Sequence, residues 1–423
     1  MLRKIVFTFG IKILVALINL VIVIILSQQI GASGKGEASL IITTIAIINI
    51  LCNFVGGPTL VYLVPRQNFF QLLLLSYSWS FLVCMGSWIV LTYLSIIPPG
   101  FVIHIAVLSF LGSMLSSNLT ALLGKEKIIS QNLLALLQAI LNVGVLLFLF
   151  FFLNDKDVYA YIFSLYAAFG AVAVLSFIIL IPFFDDLTLK AIPSLLIKAA
   201  KIGFYNQAGH IMQFLSLRLS YYILNGYNNE ASVGIYSNGV SLAESIWLIS
   251  NSIAMVQYAR IANNDNMEEN RKLTLKLIKI SLLLCTLAMI PLLALPSAFF
   301  VWLFGEEFSG VTTVIHFLAP GIIIYNLQLI ISHYFSGTGK YHINTFGNLI
   351  GLVVTLILTF LFIPHYGIVQ AGIIASCSYA STALFVTLYF LKETGYSYKS
   401  LSPDANDYYY LKLRFNTLKK KFR

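Results

Sequence analysis

The stretch IGASGKGEASLI (30–41) and its later counterpart NGYNNEASVGIY (225–236) decide how this chain is organised. Each is a short polar break in an apolar chain. Each places Glu-Ala-Ser, at 37–39 and 230–232, where a long apolar segment begins. A second pair of marks follows in the same order. GKEKIISQN (124–132) and GKYHINTFGN (339–348) each follow one long apolar segment and open another. Recurrence of two marks in the same order implies two parallel six-segment halves related by an axis along a membrane normal. Such halves usually enclose a central cavity and rock around it.

The rest of the composition agrees. The 423 residues are 59% hydrophobic and 10% charged, with mean hydropathy +0.89. A water-soluble domain carries about 25% charged residues. A spanning helix needs about 20 apolar residues, and twelve segments meet that length: 7–29, 38–63, 70–97, 101–123, 128–153, 158–183, 202–224, 234–258, 277–304, 311–336, 342–363 and 367–391. The expected class is all-α membrane protein, with twelve transmembrane helices in two pseudo-symmetric six-helix bundles. Residues 1–184 form the first bundle, 185–201 a linker, 202–391 the second bundle and 392–423 a basic tail. The cysteines, Cys52, Cys84, Cys285 and Cys377, have no paired spacing, so neither a metal site nor a disulfide framework is expected.

The net charge of +10 is a topology signal. With twelve spans, 23 of the 26 basic residues fall on one side of the membrane. Lys35 and Lys156 fall on the other, and Arg218 falls inside a segment. The positive-inside rule puts both termini in the cytoplasm. The basic surplus suits contact with anionic lipid. Nucleic-acid binding is not expected, since no basic module lies outside the membrane.

Arg218 interrupts QFLSLRLSYYILNG (213–226). At about 100° per residue, Gln207, His210, Arg218, Tyr221, Tyr222 and Asn225 share one face of segment seven. Segment eight gathers Ser237, Ser241, Glu244, Trp247, Asn251 and Tyr258; segment one gathers Thr8, Lys12, Asn19 and Ser27. Polar stripes face other helices or water, because unsatisfied polar groups in lipid cost several kcal/mol. Arg218 lies about 10 Å from the exterior end of its segment and Glu244 about 15 Å from the same side, within reach of one another. The structural reading is a snorkelling arginine or a helix-to-helix ion pair. The functional reading is a cavity cation for an anionic substrate, the default for a charge in a membrane segment. Both readings also apply to Lys12. Gly56-Gly57-Pro58 breaks segment two and is a candidate hinge.

At this point the sequence resembles a family. IGASGKGEASLI is similar to the first exterior loop of polysaccharide transporters, and VGIYSNGVSLAESIWLISNSI (233–253) to their eighth helix. LFGEEFSG (303–310), LAPGIIIYNLQLIISHYFSGTGKYHINTFGN (318–348) and LFIPHYGIVQAGIIASCSYAS (361–381) resemble their helices nine to twelve. This is the O-antigen and lipid-linked repeat-unit flippase family of the multidrug/oligosaccharidyl-lipid/polysaccharide superfamily. The resemblance implies a V-shaped pair of bundles around a central cavity, working by alternating access in a bacterial inner membrane. It implies an undecaprenyl-pyrophosphate-linked oligosaccharide of O-antigen, lipopolysaccharide or capsule type, moved from the cytoplasmic to the periplasmic leaflet. Arg218 and Lys12 would hold pyrophosphate. Asn19, Gln207, Tyr221, Tyr222, Trp247 and Asn251 are the side-chain types a glycan needs, with His210 and Glu244 beside them. Polysaccharide polymerase and chain-length machinery are candidate partners of a monomeric transporter.

Two other classes compete. A drug or metabolite exporter of the same superfamily would use intramembrane acids with H+ or Na+ coupling, and Glu244 is such an acid. No cofactor is expected beyond such a coupling ion. A membrane enzyme is disfavoured, because the exterior loops are short and the glycines of GKGE and GTGK lack P-loop spacing.

Overall fold

The structure is a computed structural model that describes residues 2–94, 96–184, 192–264 and 266–401, except the side chains at 2–6, 58, 192–194, 205–206 and 364–366. Helices make up nearly all of it, and no strand occurs among the described residues.

The first helix departs from the expected pattern. Helix α1 (Leu2–Cys52) is two helical stretches meeting at Gly31, with φ +66° and ψ −171°. Glycine tolerates that conformation because it has no Cβ. The 46 residues from Phe7 to Cys52 would rise about 69 Å, roughly twice the hydrocarbon core. α1 therefore supplies two spans, and the loop expected at GASGKGE shrinks to one residue. Segment two was expected to run to 63 with a kink at Gly56-Gly57-Pro58. It stops at Cys52 and restarts as α2 (Gly57–Leu63), with Gly57 at φ +51°. Pro58 lies in the first turn of α2, where a missing N–H costs nothing.

The next four helices follow the sequence closely: α3 (Phe69–Leu94), α4 (Pro99–Gly124), α5 (Ile128–Phe151) and α6 (Val158–Leu180). Asp157 caps α6 by accepting from Val158 N at 2.5 Å. α7 (Ile192–Tyr227) begins inside the expected linker, so 192–201 is helical and 185–191 lies outside the described residues. Segment eight is α8 (Glu230–Ser245) and α9 (Trp247–Ile261), bent by 43°. Segment nine is α10 (Met267–Ala294) and α11 (Ser297–Phe304), separated at Leu295, which is extended with ψ 127°, and Pro296. Asn266 caps α10 by accepting from Glu268 N at 3.1 Å and Glu269 N at 3.2 Å. α12 (Val311–Gly337), α13 (Tyr341–Tyr366) and α14 (Ile368–Thr394) complete the fold. Of the basic tail, 402–423 lies outside the described residues.

Among the described residues nine helices, the first being the double-length α1, are long and apolar enough to cross a membrane, and α8 with α9 makes a bent tenth. Their outward faces carry large apolar side chains at helix ends, such as Tyr93 (86% exposed), Phe152 (80%) and Trp302 (74%). Aromatic rings at that level are typical of a membrane interface. The protein is a multi-pass membrane protein.

Contacts divide the chain into two compact units. One holds residues 1–238, 297–311 and 362–368; the other holds 239–296, 312–361 and 369–423. These contact units are not the sequence halves. α7 and the start of α8 belong with the first because they pack along α1. The first unit has a continuous core running from Ile22 to Ala199, including Phe69, Leu108, Phe150 and Leu180. The second has a core around Tyr334, Phe335 and Phe390.

Candidate functional site

Within the first unit, the polar breaks of the sequence converge at one end, called here the Gly31 end. Ala32 N donates to Glu307 Oε2 at 2.6 Å, and Gln28 Nε2 donates to Leu303 O at 2.9 Å. Gly36 abuts the carbonyl of Glu230: a Cβ there would lie 1.8 Å from that oxygen. Gly234 abuts Ala32, where a Cβ would lie 2.1 Å from the carbonyl oxygen. The two Glu-Ala-Ser stretches thus mark backbones in direct contact.

This end holds a cation that sequence reasoning placed in an exposed loop. Lys35 is 6% exposed, and its Nζ donates to Ser39 Oγ at 2.7 Å and Ser237 Oγ at 3.2 Å. Close by, Asn238 Nδ2 donates to Ser27 Oγ at 2.7 Å. The one available signal was that Lys35 and Ser39 are four residues apart on a helix, with glycines on both sides of the lysine.

The second stretch of α1 and α7 run antiparallel, with their register fixed at both ends. Thr44 Oγ1 donates to Leu40 O at 2.7 Å, so the Tyr222 hydroxyl 2.8 Å away donates to Thr44. At the opposite end Phe54 and Phe204 have ring centroids 6.2 Å apart, and Gly203 lies against Phe54 O. In that register Arg218, one turn from Tyr222, is about 20 Å from Lys35 along the helices. The Arg218 guanidinium is 5.6 Å from the centre of the Tyr221 ring, and its Nη1 donates to Leu217 O at 3.2 Å. Arg218 is half-buried, Tyr221 is buried edge-on to Tyr236, Gln207 is buried and His210 is exposed. The stripe expected on segment seven is therefore partly occupied by structural contacts, through Tyr221 and Tyr222. Lys12 and Asn19 are exposed on α1. Gly56 and Gly57 form the break before α2: a Cβ on Gly56 would meet Ser76 Oγ and Ser117 Oγ at 3.1 Å.

In the second unit, the Tyr379 hydroxyl donates to Glu244 Oε1 at 3.1 Å. Trp247 is buried, its Nε1 donates to Ile322 O at 3.0 Å, and its ring packs on Tyr325 at 4.7 Å and Tyr379 at 5.4 Å. Tyr325 and Tyr379 close the triangle at 5.4 Å. Trp247 is thus part of an aromatic core rather than a surface for sugar, and Asn251 is exposed. Trp247→Ala should cost about 3–5 kcal/mol, read as a large fall in the thermal midpoint of purified protein. Tyr379→Phe, losing one hydrogen bond to a carboxylate, should cost about 1.5–3 kcal/mol.

The thiols of Cys52 and Cys84, remote in sequence, lie 4.0 Å apart as free cysteines. Among the described residues no group of three or more His, Cys, Asp or Glu is arranged to hold a metal.

No protein-family model matches the chain. Over 173 residues it is 27% identical to the capsular polysaccharide biosynthesis protein CapF of Staphylococcus aureus, covering 40% of this chain. The match spans 43% of that relative's length. Among solved structures, the lipid II flippase MurJ in an inward closed conformation superposes with a TM-score of 0.77 at 12% identity, over 99% of this chain and 92% of MurJ. An inward-facing multidrug resistance MATE-family transporter of the MOP superfamily superposes with a TM-score of 0.68 at 13% identity, over 88% and 94% of the two chains. The fold is that of MOP-superfamily transporters and flippases, and the solved structures it resembles are transporters rather than enzymes.

Proposed function

We propose that this chain is a flippase for an undecaprenyl-pyrophosphate-linked oligosaccharide of O-antigen or capsule type, moving it from the cytoplasmic to the periplasmic leaflet by alternating access. The observation that carries the reading is Arg218, a half-buried cation on α7 in a MOP fold. A guanidinium offers paired donors to a pyrophosphate, and charge-assisted hydrogen bonds are about twice as strong as neutral ones. The isoprenoid tail remains in lipid, since each CH2 kept there contributes about 0.8 kcal/mol. The partial likeness to CapF and the full-length likeness to MurJ support a lipid-linked polysaccharide precursor over a soluble substrate.

In this reading the Gly31 end faces the periplasm and the Phe54 end the cytoplasm. Lys125 and Lys127 lie at the Phe54 end, over the rings of Phe69 and Phe183. Gly56-Gly57-Pro58 serves as a hinge, and Lys12 and Gln207 belong to the cytoplasmic approach. The transporter works as a monomer and hands its product to a polysaccharide polymerase. A second reading, a MATE-like ion-coupled exporter, rests on Glu244, the half-buried acid held by Tyr379.

The test is a strain deleted for this gene, assayed for surface polysaccharide and for lipid-linked repeat units retained on the inner face. Loss of the first and accumulation of the second, both reversed by the gene, is the expected result. Unchanged polysaccharide, in a strain with no second flippase gene and with altered dye or drug efflux, would favour the exporter.

A further inference from the structure

A cavity of about 360 Å³ opens within the first unit, apart from the α7 stripe. It runs between α1, α4, α5 and α6 and starts near the Phe54 end, at Leu123 and Gln131. Its polar lining is Asn49, Ser116, Thr120, Gln131 and Gln138, with Phe169 as its aromatic wall. No ionisable side chain lines it among the described residues. Three amides and two hydroxyls thus converge on the cavity from α1, α4 and α5.

The details favour a ligand over packing. Asn49 Oδ1 is buried without a protein hydrogen-bond partner. A buried acceptor left unpaired is costly, and the Asn49 side chain is part of the cavity lining. Thr120 Oγ1 donates its proton to Ser116 O at 2.7 Å, which leaves its lone pairs turned to accepting. Gln131 and Gln138 are two turns apart on α5 and can each donate and accept. Gly112 keeps the wall open, since a Cβ there would lie 3.1 Å from Asn49 Nδ2 and 3.4 Å from Phe169. The described lining offers no counter-ion to a phosphate, a carboxylate or an amine. A sugar ring offers mixed donors and acceptors at its rim and C–H groups on its faces. The volume, near the lower end of the range of about 300–1,000 Å³ for ligand pockets, suits one such ring.

We propose that this cavity is a subsite for a neutral sugar ring of the transported glycan, separate from the cation that holds the pyrophosphate. The inference rests on the flippase reading above. It divides the labour: Arg218 reads the carrier, which all substrates share, and the cavity reads the sugar, which differs between them.

The test is equilibrium binding to the full chain in lipid nanodiscs, with undecaprenyl pyrophosphate and the same carrier bearing N-acetylglucosamine as probes. The ratio of the two affinities is the readout. The native chain should prefer the sugar-bearing carrier by about tenfold or more, the worth of one or two hydrogen bonds. Gln138→Leu and the near-isosteric Thr120→Val should each bring the ratio toward one, whereas Arg218→Ala should weaken both probes and leave the ratio intact. Thr120→Val guards against a folding defect in the bulkier change. A ratio near one in the native chain, or a preference that survives both cavity variants, overturns the subsite while the flippase reading stands. If neither carrier binds, the flippase reading fails and the subsite with it.

Discussion

Gly36→Val abolishes transport, whereas Gly144→Ala leaves it unchanged: that is the expected contrast between glycines of the first unit. A Cβ on Gly36 would lie 1.8 Å from Glu230 O and 2.6 Å from its carbon, both backbone atoms that no rotamer change can move aside. A Cβ on Gly144 would meet nothing within 4 Å. Overpacking a tight core costs about 1–3 kcal/mol and more where backbone must shift. At Gly36 the start of α8 must move, taking Ser237 away from Lys35 and Ser39. Under the proposed cycle this end must part and re-form once per turnover, so a seam that cannot close stops transport even where the chain still folds. Gly234→Val, with a Cβ 2.1 Å from Ala32 O, should behave in the same way. The measurement is export by complemented deletion cells, with membrane protein level and thermal midpoint recorded beside it. Full export by Gly36→Val at normal protein level would show that the close approach does not matter to the cycle.

The same glycines show what the sequence made legible. The Glu-Ala-Ser marks identified two chain segments with matching roles, and the structure joins them at Gly36 and Glu230. Hydropathy also located the segments that fold as long apolar helices among the described residues, because burial in lipid demands a run of apolar residues whatever the tertiary contacts. It failed where the answer depended on a distant partner. Lys35 reads as a loop lysine between glycines, yet Ser237, which helps to bury it, is 202 positions away. Helix-face arithmetic grouped Glu244 with Trp247, and both do meet Tyr379; it could not show that Tyr325 also closes over the tryptophan. Angular position gives the direction of a side chain from its own axis and says nothing about the tyrosines waiting there. Arg218 was the reverse case: a charge in an apolar run needs no partner to be noticed.

Arg218 and Lys35 provide the second large contrast, because each is a cation inside the first unit, Lys35 buried and Arg218 half-buried. Lys35 is enclosed at the Gly31 end and spends its donors on two buried hydroxyls. Lys35→Met nearly keeps the volume and removes a charge whose burial is costly. It should leave the thermal midpoint at or above the native value and reduce export less than tenfold. Arg218 is half-buried and stacked beside Tyr221, a contact worth about 0.5–1 kcal/mol. The thermal midpoint of Arg218→Ala is therefore recorded beside its transport. The expected loss is in transport, at least about 100-fold, because two charge-assisted bonds to pyrophosphate at about 1.5–3 kcal/mol each would be missing. Arg218→Lys, which keeps the charge but not the planar fork, should recover part of the loss. The pattern separates the roles even if both variants are impaired. A stability defect tracks packing, and a transport defect at normal stability tracks the substrate. Were Lys35→Met to stop export at full stability while Arg218→Ala exported normally, the anion would be met at the Gly31 end, and the path of the pyrophosphate would have to be redrawn from Lys35 inward.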